Sequence, residues 1–380
     1  MKTKQNPPAR RSARDRFVII MAGGRGERFW PVSRERRPKQ LLDLLGDRSF
    51  LQQAVDRVLP LVPRENIFVI TNAAQLAAVR RQLPELPKAN LVGEPCGRDT
   101  CAAVALGAAL VGARSPEGVM AVLPADHVIP RPGQFQRVLG DAFQLAARDE
   151  VIVTIGITPT EPATGYGYIE LAAPLPQSPG GRRARTTFHQ VKRFVEKPPL
   201  KRAVQYLKSG RHRWNAGMFV WSVPTITNGL ARHQPGMAEF CQRWRQAAGT
   251  GRLQRTLAAD YPALTKVSID YALLEHAENV VAAEGDFGWD DLGAWTALAR
   301  HLQADPQGNC SVADYVQVES SGNVVFDARS KSKGLVATVG VRDSIIVLTD
   351  DALLVAGKSE AQNIKQLLAG LNAAGRKALL

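Results

Sequence analysis

Short apolar runs alternate with amphipathic stretches through the first half of the chain. The runs FVIIMA, NIFVIT and VMAVLPAD are each followed by a helix-like segment, which reads LLDLL to LQQAVDRVL, AAQLAAVRRQL and FQRVLGDAFQLAA in turn. Strands that alternate with helices usually form a parallel sheet, because each helix returns the chain across one face. We therefore predict an α/β fold with a mostly parallel mixed sheet and helices on both faces.

The pattern changes twice further along the chain. From about Thr164, the segments YGYIEL, HQVKRFVEKP and NAGMFVWSV predict antiparallel strands added to the same sheet, and helical stretches then run to about Glu278. After the turn DPQGN, the segments YVQVESSGNVVF and LVATVGVRDSIIVLTDDALLVA are rich in strand-forming residues. We predict a disordered basic tail over residues 1–16, a large α/β domain over 17–304 and a small β-rich domain over 305–380.

Basic residues outnumber acidic ones by 49 to 35, which gives a formal net charge of +14. Such an excess is typical of proteins that bind nucleic acid or phosphate-rich small molecules. Part of it lies in the tail MKTKQNPPARRSARDR, which has no aromatic residue to stack on bases, so a solvated tail is favoured over an RNA-binding arm. We therefore do not expect nucleic acid as a partner.

The chain shows no signal for a membrane anchor, for secretion or for a disulfide framework. No apolar run reaches the roughly 18 residues of a membrane span, and the start of the chain lacks an apolar signal segment. Cys96, Cys101, Cys241 and Cys310 are scattered without CxxC spacing, so we expect reduced, structural cysteines. The sequence predicts a cytoplasmic protein without a membrane partner.

A glycine-rich turn, AGGRGER at residues 22–28, follows directly after the first predicted strand. Glycines at such a junction let backbone N–H groups approach an anion closely, as binding of a triphosphate requires. Phe29 stands where a dinucleotide-binding fingerprint needs glycine, and the Gly-Lys-Ser/Thr of a Walker A loop is absent. A cationic series interrupted by prolines suits a polyphosphate. Its members are Arg25, Arg28, Arg34, Arg36, Arg37 and Lys39.

The stretch MAGGRGERFWPVSRERRPKQLL resembles the signature of sugar-phosphate nucleotidyltransferases, in which a glycine loop ends in Arg and a Pro-Lys pair follows. The resemblance implies a Rossmann-like, GT-A-like fold. It also implies attack by a sugar phosphate on the α-phosphorus of a nucleoside triphosphate, with release of diphosphate. Arg28 and Lys39 would be catalytic residues that contact the β- and γ-phosphates. The implied nucleotide-binding backbone lies at Ala22, Gly23, Gly24 and Gly26.

Tryptophan after the loop and Pro-Lys-Gln at its end resemble the mannose-1-phosphate guanylyltransferase branch, which makes GDP-mannose from GTP and mannose 1-phosphate. The segment EPCGRDT at 94–100 is similar to the guanylyltransferase motif Glu-Pro…Arg-Asn-Thr, although Asp99 stands where Asn is more usual. The similarity implies nucleotide contacts from Glu94, Arg98 and Thr100. Guanine presents N1–H and N2–H₂ donors, for which a glutamate is a reasonable acceptor.

Two acidic positions predict a metal site. Asp126 closes the run VMAVLPAD, and Asp291 lies far along the chain in GWDDLG. Ligands of open α/β sheets gather at strand ends, and Mg²⁺ uses two carboxylates when water and phosphate oxygens complete its shell. Both segments resemble family motifs, which implies that Asp126 and Asp291 bind Mg²⁺ or another divalent cation. Whether Asp290 assists stays open, and we expect a structural role for His127.

Further segments match the family in order. FVEKP implies a glutamate that accepts hydrogen bonds from sugar hydroxyls, followed by a catalytic Lys197 that contacts the phosphates. In SIDYALLE, Ser268 or Asp270 either caps a helix or contacts substrate. The implied sugar-phosphate-binding residues, from ATGYGYI, FVEKP and WNAGMF, are Gly165, Gly167, Glu196 and Asn215.

Alternatives to this interpretation remain open. One is a nucleotidyltransferase for another hexose 1-phosphate or another nucleotide, and a second is a non-catalytic nucleotide-sugar sensor that keeps the fold. The family resemblance suggests that the β-rich domain packs against a second subunit, which would make a homodimer. Some relatives carry a phosphomannose isomerase domain after this region, and we expect none here.

Overall fold

The large sheet contains the strands that the apolar runs predict. A computed structural model describes residues 15–176, 186–330 and 334–380, so residues 1–14 of the predicted tail lie outside the described ranges. The strands before the C-terminal region are β1 (Arg16–Ala22), β2 (Ile67–Asn72), β3 (Leu91–Glu94), β4 (Val119–Pro124), β5 (Ile152–Ile157), β6 (Tyr168–Pro174), β7 (Phe188–Val195), β8 (His212–Ser222) and β9 (Val280–Gly285). They form one sheet in the order β3-β2-β1-β4-β8-β5-β9-β7-β6.

The sheet is mixed. β1 pairs in parallel with β2 and β4, and β2 pairs in parallel with β3. β8 runs antiparallel between β4 and β5, whereas β5 and β9 are parallel. The α/β fold is confirmed, and antiparallel pairing takes a larger share than the first half of the chain predicts, because β6 and β7 form an antiparallel pair beside β8. The carboxyl ends of the parallel neighbours β1 and β4 lie at the same edge of the sheet.

Helices cover both faces of the sheet, and each face has its own apolar core. Phe17 and Ile19 of β1 belong to one core, and Val18 and Ile20 belong to the other. This division follows from the alternation of side chains along a strand. None of the described helices is both long and apolar enough to cross a membrane. The helices of this part are α1 (Phe50–Val58), α2 (Leu76–Gln82), α3 (Asp99–Arg114), α4 (Pro132–Arg148), α5 (Leu200–Ser209), α6 (Val223–His233), α7 (Pro235–Ala247) and α8 (Leu253–Asp260).

The first predicted helix begins later than the sequence pattern indicates. LLDLL is not helical beyond a short 3₁₀ turn at Lys39–Leu41, and α1 starts only at Phe50. Ser49 Oγ accepts a hydrogen bond from the Gln52 N–H at 3.2 Å, and Gln52 Oε1 accepts one from the Ser49 N–H at 3.1 Å. This capping box fixes the start of the helix. Leu41, Leu42 and Leu44 of LLDLL are buried in apolar cores without forming an α-helix, and this burial accounts for the apolar pattern.

The C-terminal region is a small β-rich domain, as predicted. β10 pairs in parallel with β12, β12 with β14, and β11 with β13, so the chain returns in the same direction after each turn of a coil. The alternation of apolar and polar residues did not reveal this parallel coil, because hairpins produce the same alternation. The elements are α9 (Trp295–Leu298), β10 (Cys310–Val312), β11 (Tyr315–Val318), β12 (Val324–Asp327), β13 (Val336–Val339), β14 (Ser344–Leu348), β15 (Leu353–Gly357) and α10 (Ile364–Ala373).

A third apolar core joins the C-terminal domain to the segment after the glycine-rich turn. Trp295 lies at its centre, with ring centroids 5.1 Å from Phe29 and 5.2 Å from Phe326. The Trp295 indole N–H donates to the Trp30 carbonyl at 3.1 Å, and the Trp30 indole N–H donates to the Leu379 carbonyl at 2.8 Å. The two domains therefore share packing at the place where the glycine-rich turn lies.

Trp295→Ala should lower the free energy of unfolding by about 3–5 kcal/mol, because it leaves a large cavity in this shared core. Trp295→Phe keeps an aromatic ring and loses one hydrogen bond, so we expect a smaller decrease, near 1 kcal/mol. Val339→Ala is a control in the same domain, since Val339 is 74% exposed, and should change the value by less than about 0.5 kcal/mol. Urea unfolding measures all three, and equal losses for Trp295→Ala and Val339→Ala would contradict the packing described.

Candidate functional site

Two polar side chains hold the glycine-rich turn by hydrogen bonds to its backbone carbonyls. Gln40 Nε2 donates to the carbonyls of Ala22 at 2.7 Å and Gly24 at 3.0 Å, and Ser33 Oγ donates to the Gly26 carbonyl at 2.7 Å. Gly26 has φ of 62°, and a Cβ there would lie 2.3 Å from Lys39 Cβ. The turn therefore needs glycine at position 26 so that Lys39 can approach.

Arg28 and Lys39 line one cleft, as the sequence predicts for residues that contact phosphates. The cleft has a volume of about 360 Å³, and Asp126 and Asp291 also line it. Lys39 Nζ donates to Asp126 Oδ2 at 2.9 Å and to the Asp291 carbonyl at 2.6 Å. Arg28 Nη1 donates to the Gly293 carbonyl at 3.1 Å, while its buried Nε has no hydrogen-bond partner in the described part of the chain. That orphaned donor is a suitable contact for an anionic ligand.

Other members of the predicted cationic series have different partners. Arg34 donates to the Leu379 carbonyl at 2.5 Å and to Asp351 Oδ1 at 2.8 Å, so it ties the segment to the C-terminal domain. Arg37 donates to Asp43 Oδ1 at 3.2 Å. The prolines that interrupt the series direct its cations to different places, and the sequence could not distinguish those that face the cleft.

The two predicted metal-binding carboxylates come together through the backbone. Asp126 follows the end of β4, and two hydrogen bonds between Val128 and Asp290 join that segment to the one that contains Asp291. Burial acts to raise the pKa of Asp126, but the Lys39 ammonium holds it below its usual range. Burial raises the pKa of Asp291, although the hydrogen bond from Tyr166 opposes the shift.

This donor set fits a magnesium ion. Asp126 and Asp291 offer hard oxygen ligands, and each uses only one carboxylate oxygen in a side-chain hydrogen bond within the described ranges. No cluster of three or more His, Cys, Asp or Glu suited to a metal occurs among the described residues. A cation held here would take its remaining ligands from phosphate oxygens and water, which is how Mg²⁺ usually binds beside a nucleotide.

Asp290 and His127 serve the structure. Asp290 accepts hydrogen bonds from the Leu292 N–H at 2.8 Å and from Arg300 Nη2 at 3.1 Å, and it lies 2.9 Å from His301 Nε2, so these groups occupy its carboxylate. Burial lowers the pKa of His127 to about 4. Its Nδ1 accepts a hydrogen bond from the Trp289 indole N–H at 3.0 Å. The imidazole is therefore neutral near pH 7 and not available as a cation for phosphate.

A second polar group lies around β6, β7 and β8, where the sequence predicts the sugar phosphate. Lys197 Nζ donates to Glu196 Oε1 at 2.5 Å, and Lys197 has φ of 44°, which is rare for a residue with a side chain. Asn215 receives a hydrogen bond from Thr154 Oγ1 at 3.0 Å. A Cβ at Gly167 would lie 2.5 Å from Glu196 Oε2, so a larger residue there would displace the Glu196 carboxylate. A Cβ at Gly165 would meet open space, and the packing gives no reason for that glycine.

Two further residues, Asp270 and Tyr166, belong to this group. Asp270 begins a short π-helix, Asp270–Leu274, and accepts a hydrogen bond from Asn215 Nδ2 at 2.9 Å, while burial raises its pKa to about 6. Tyr166 Oη donates to Asp291 Oδ1 at 2.7 Å, and its ring packs against Trp214. The Tyr166 side chain thus links Asp291, a predicted metal ligand, to Trp214, the neighbour of Asn215. The sequence left Asp270 open between a helix cap and a substrate contact, and the only signal for Tyr166 was its place inside ATGYGYI.

In the segment predicted to bind the nucleotide base, Glu94 is a buried acid, whereas Arg98 and Thr100 form hydrogen bonds with the protein backbone. Glu94 is 6% exposed, its Oε1 accepts from Tyr261 Oη at 3.1 Å, and burial raises its pKa to about 7. Its Oε2 lies beside Gly23, 3.2 Å from where a Cβ would be. Arg98 Nε donates to the Tyr261 carbonyl at 2.8 Å, and Thr100 Oγ1 accepts from the Ile269 N–H at 2.9 Å. Nucleotide contacts from Arg98 and Thr100 stay predictions.

Comparison with known proteins agrees with this geometry. The family model described as Nucleotidyl transferase matches residues 17–308. The chain belongs to this nucleotidyltransferase family. A second model, described as MannoseP isomerase/GMP-like beta-helix domain, matches residues 313–371, where the structure has its parallel coil.

Individual proteins of known name resemble this chain along most of its length. The enzyme is 36% identical over 368 residues to the xanthan biosynthesis protein XanB of Xanthomonas campestris, a match that covers 95% of this chain and 74% of XanB. It is 38% identical over 354 residues to a mannose-1-phosphate guanylyltransferase of Klebsiella pneumoniae, with 92% and 72% covered. A solved structure from Thermus thermophilus, described as a mannose-1-phosphate geranyltransferase, is 33% identical with a TM-score of 0.82, covering 94% of this chain and 99% of that one. The predicted enzyme class, a nucleotidyltransferase, is confirmed.

Gly26→Ala should damage the glycine-rich turn, because the new Cβ would collide with Lys39 at a φ that only glycine adopts easily. The φ alone costs about 1–2 kcal/mol, so we expect the free energy of unfolding to fall by at least that amount. The control is Gly24→Ala, whose Cβ meets nothing within 4 Å and should change the value by less than about 0.5 kcal/mol. Urea unfolding decides, and equal effects would contradict the described contact.

The buried Glu94 should make stability depend on pH. Its pKa is about 7 in the folded state and 4.5 ordinarily, so folding favours the protonated form. The stability it contributes is fully present below about pH 4.5 and is lost as the pH rises to about 7, an effect on the order of 3 kcal/mol. Glu94→Gln keeps an acceptor for Tyr261 and does not titrate, so its stability should fall less over this window.

The measurement is urea unfolding at a series of pH values, with the exposed Glu65→Gln as the matched control. The control should follow the pH profile of the parent. Parallel profiles for the parent and Glu94→Gln would show that the carboxyl group at position 94 is not protonated on folding.

Proposed function

We propose that the enzyme is a mannose-1-phosphate guanylyltransferase, which converts GTP and α-D-mannose 1-phosphate into GDP-mannose and diphosphate. The observation that carries the proposal is the cleft where Arg28, Lys39, Asp126 and Asp291 meet beneath the glycine-rich turn. Relatives with that name at 38% identity support the choice of sugar and nucleotide. Two other features agree with it, namely the buried Glu94 beside the turn and the Glu196–Asn215 group beyond Tyr166.

The residues of the cleft suit a transfer that needs no protein nucleophile. An oxygen of the sugar phosphate forms a bond to the α-phosphorus, the bond from that phosphorus to the β-bridging oxygen breaks, and diphosphate leaves. Because the attacking phosphate is already an anion, no base is required. Arg28 and Lys39 offset negative charge on the leaving phosphates, and Lys197 does so on the sugar phosphate. Catalysis of this kind rests on positioning and electrostatics.

Asp126 and Asp291 would hold Mg²⁺. Such an ion offsets charge on the α-phosphate when bound. Lys39 fixes the orientation of Asp126, and Tyr166 fixes that of Asp291, so both carboxylates are positioned before substrate arrives. Asn215 and Asp270 form a donor and acceptor pair that suits vicinal sugar hydroxyls.

Asp126→Asn and Asp291→Asn should each reduce turnover on the order of 100-fold or more, because each removes a charge that positions the cation. The measurement is diphosphate release from GTP and mannose 1-phosphate with Mg²⁺. Asp286→Asn is the control, since its side chain is 88% exposed, and it should stay within about twofold of the parent because surface ion pairs contribute little.

A panel of sugar 1-phosphates and nucleoside triphosphates separates the remaining alternatives. Faster turnover with glucose 1-phosphate and UTP or dTTP would assign the enzyme to another substrate pair. Folded protein that releases no diphosphate with any pair would support a nucleotide-sugar sensor.

A further inference from the structure

The C-terminal domain brings a lysine to the cleft that contains Arg28 and Lys39. Lys365 lies on the first turn of α10, and its side chain lines this cleft. The preceding Ile364 is 3% exposed and belongs to the same apolar core as Phe29, which is 1% exposed. Because a buried neighbour anchors α10 against the segment that follows the glycine-rich turn, the position of Lys365 relative to Arg28 is set by packing.

No ion pair within the described ranges accounts for the position of the Lys365 side chain. Its side chain is exposed, and no carboxylate forms an ion pair with it in residues 15–176, 186–330 and 334–380. Arg34, by contrast, is tied to Asp351 and to the Leu379 carbonyl. The cations that line the cleft, Arg25, Arg28, Lys39 and Lys365, outnumber its carboxylates, Glu27, Asp126 and Asp291. Lys365 therefore leaves an excess of positive charge there, which suits an anionic ligand.

We propose that Lys365 binds the β- and γ-phosphates of the nucleotide, and so the diphosphate that leaves. The inference rests on the proposed reaction for the identity of its anion. A nucleoside triphosphate brings more negative charge than Arg28 and Lys39 can offset, because Lys39 already pairs with Asp126 at 2.9 Å. Lys365 adds a cation from α10. The C-terminal domain therefore contributes directly to substrate binding.

The position of Lys365 favours the leaving phosphates over the sugar phosphate. Lys365 lines the cleft together with Arg25 and Glu27, at the outer end of the glycine-rich turn. Glu196 and Asn215, which belong to the predicted sugar site, do not line it. Sugar recognition is therefore expected to be independent of Lys365.

The experiment compares ligands that contain the β- and γ-phosphates with a ligand that lacks them. In Lys365→Ala, the KM for GTP and the dissociation constant of diphosphate with Mg²⁺ should both rise roughly tenfold. The dissociation constant of GDP-mannose and the KM for mannose 1-phosphate should stay within about twofold, because neither ligand contains the leaving diphosphate. Lys365→Arg keeps the charge and should recover most of the affinity.

Lys88→Ala is the matched control, since this exposed lysine precedes β3 and does not line the cleft. It should leave every constant unchanged, and thermal unfolding of all variants tests whether they are folded. Unchanged diphosphate affinity in Lys365→Ala would overturn the proposal, and so would an equal loss of GDP-mannose affinity, which would indicate a general disturbance of the site. If the parent turned over no substrate pair, the proposed reaction would fail, but diphosphate binding would still test Lys365.

Discussion

Burial of one ammonium group organises the catalytic cleft. Lys39 is 3% exposed, and an unpaired charge at such a place costs several kcal/mol. Its Nζ meets Asp126 Oδ2 at 2.9 Å and the Asp291 carbonyl at 2.6 Å. These partners belong to segments that are far apart in sequence, so satisfying Lys39 requires β4 and the segment after β9 to meet. The same contact fixes the turn above, because Gly26 leaves room for the Lys39 side chain.

The C-terminal domain is part of this arrangement. Trp295 packs between Phe29 and Phe326, and the indole of Trp30 and the guanidinium of Arg34 both donate to the Leu379 carbonyl. Removing either domain would expose one side of a core that also supports the glycine-rich turn. The C-terminal domain therefore stabilises the segment between the glycine-rich turn and Lys39.

The sequence was sufficient for the fold class, because the alternation of strands and helices is a local pattern. The glycine-rich turn and its cationic series indicated a phosphate site, and the resemblance to the nucleotidyltransferase signature singled out Arg28 and Lys39. Contacts between residues far apart in the sequence were harder to predict. Nothing local distinguishes Arg34, which binds the Leu379 carbonyl, from Arg28, which faces the cleft. The sequence could not decide whether Asp270 caps a helix or contacts substrate, because its hydrogen bond with Asn215 depends on how the π-helix and β8 meet in space.

Backbone strain marks the functional segments independently of their side chains. Among the described residues, five that are not glycine have positive φ. Three of them, Asp99, Lys197 and Leu292, lie in the segments predicted to bind the base, the sugar phosphate and the metal. Each costs on the order of 1–2 kcal/mol, so the surroundings must impose the conformation. For Leu292 they do so visibly, since its side chain is fully buried and its N–H donates to Asp290 Oδ1 at 2.8 Å. Asp290 thus acts on the site without touching ligand, by holding the backbone that directs Asp291 towards the cleft.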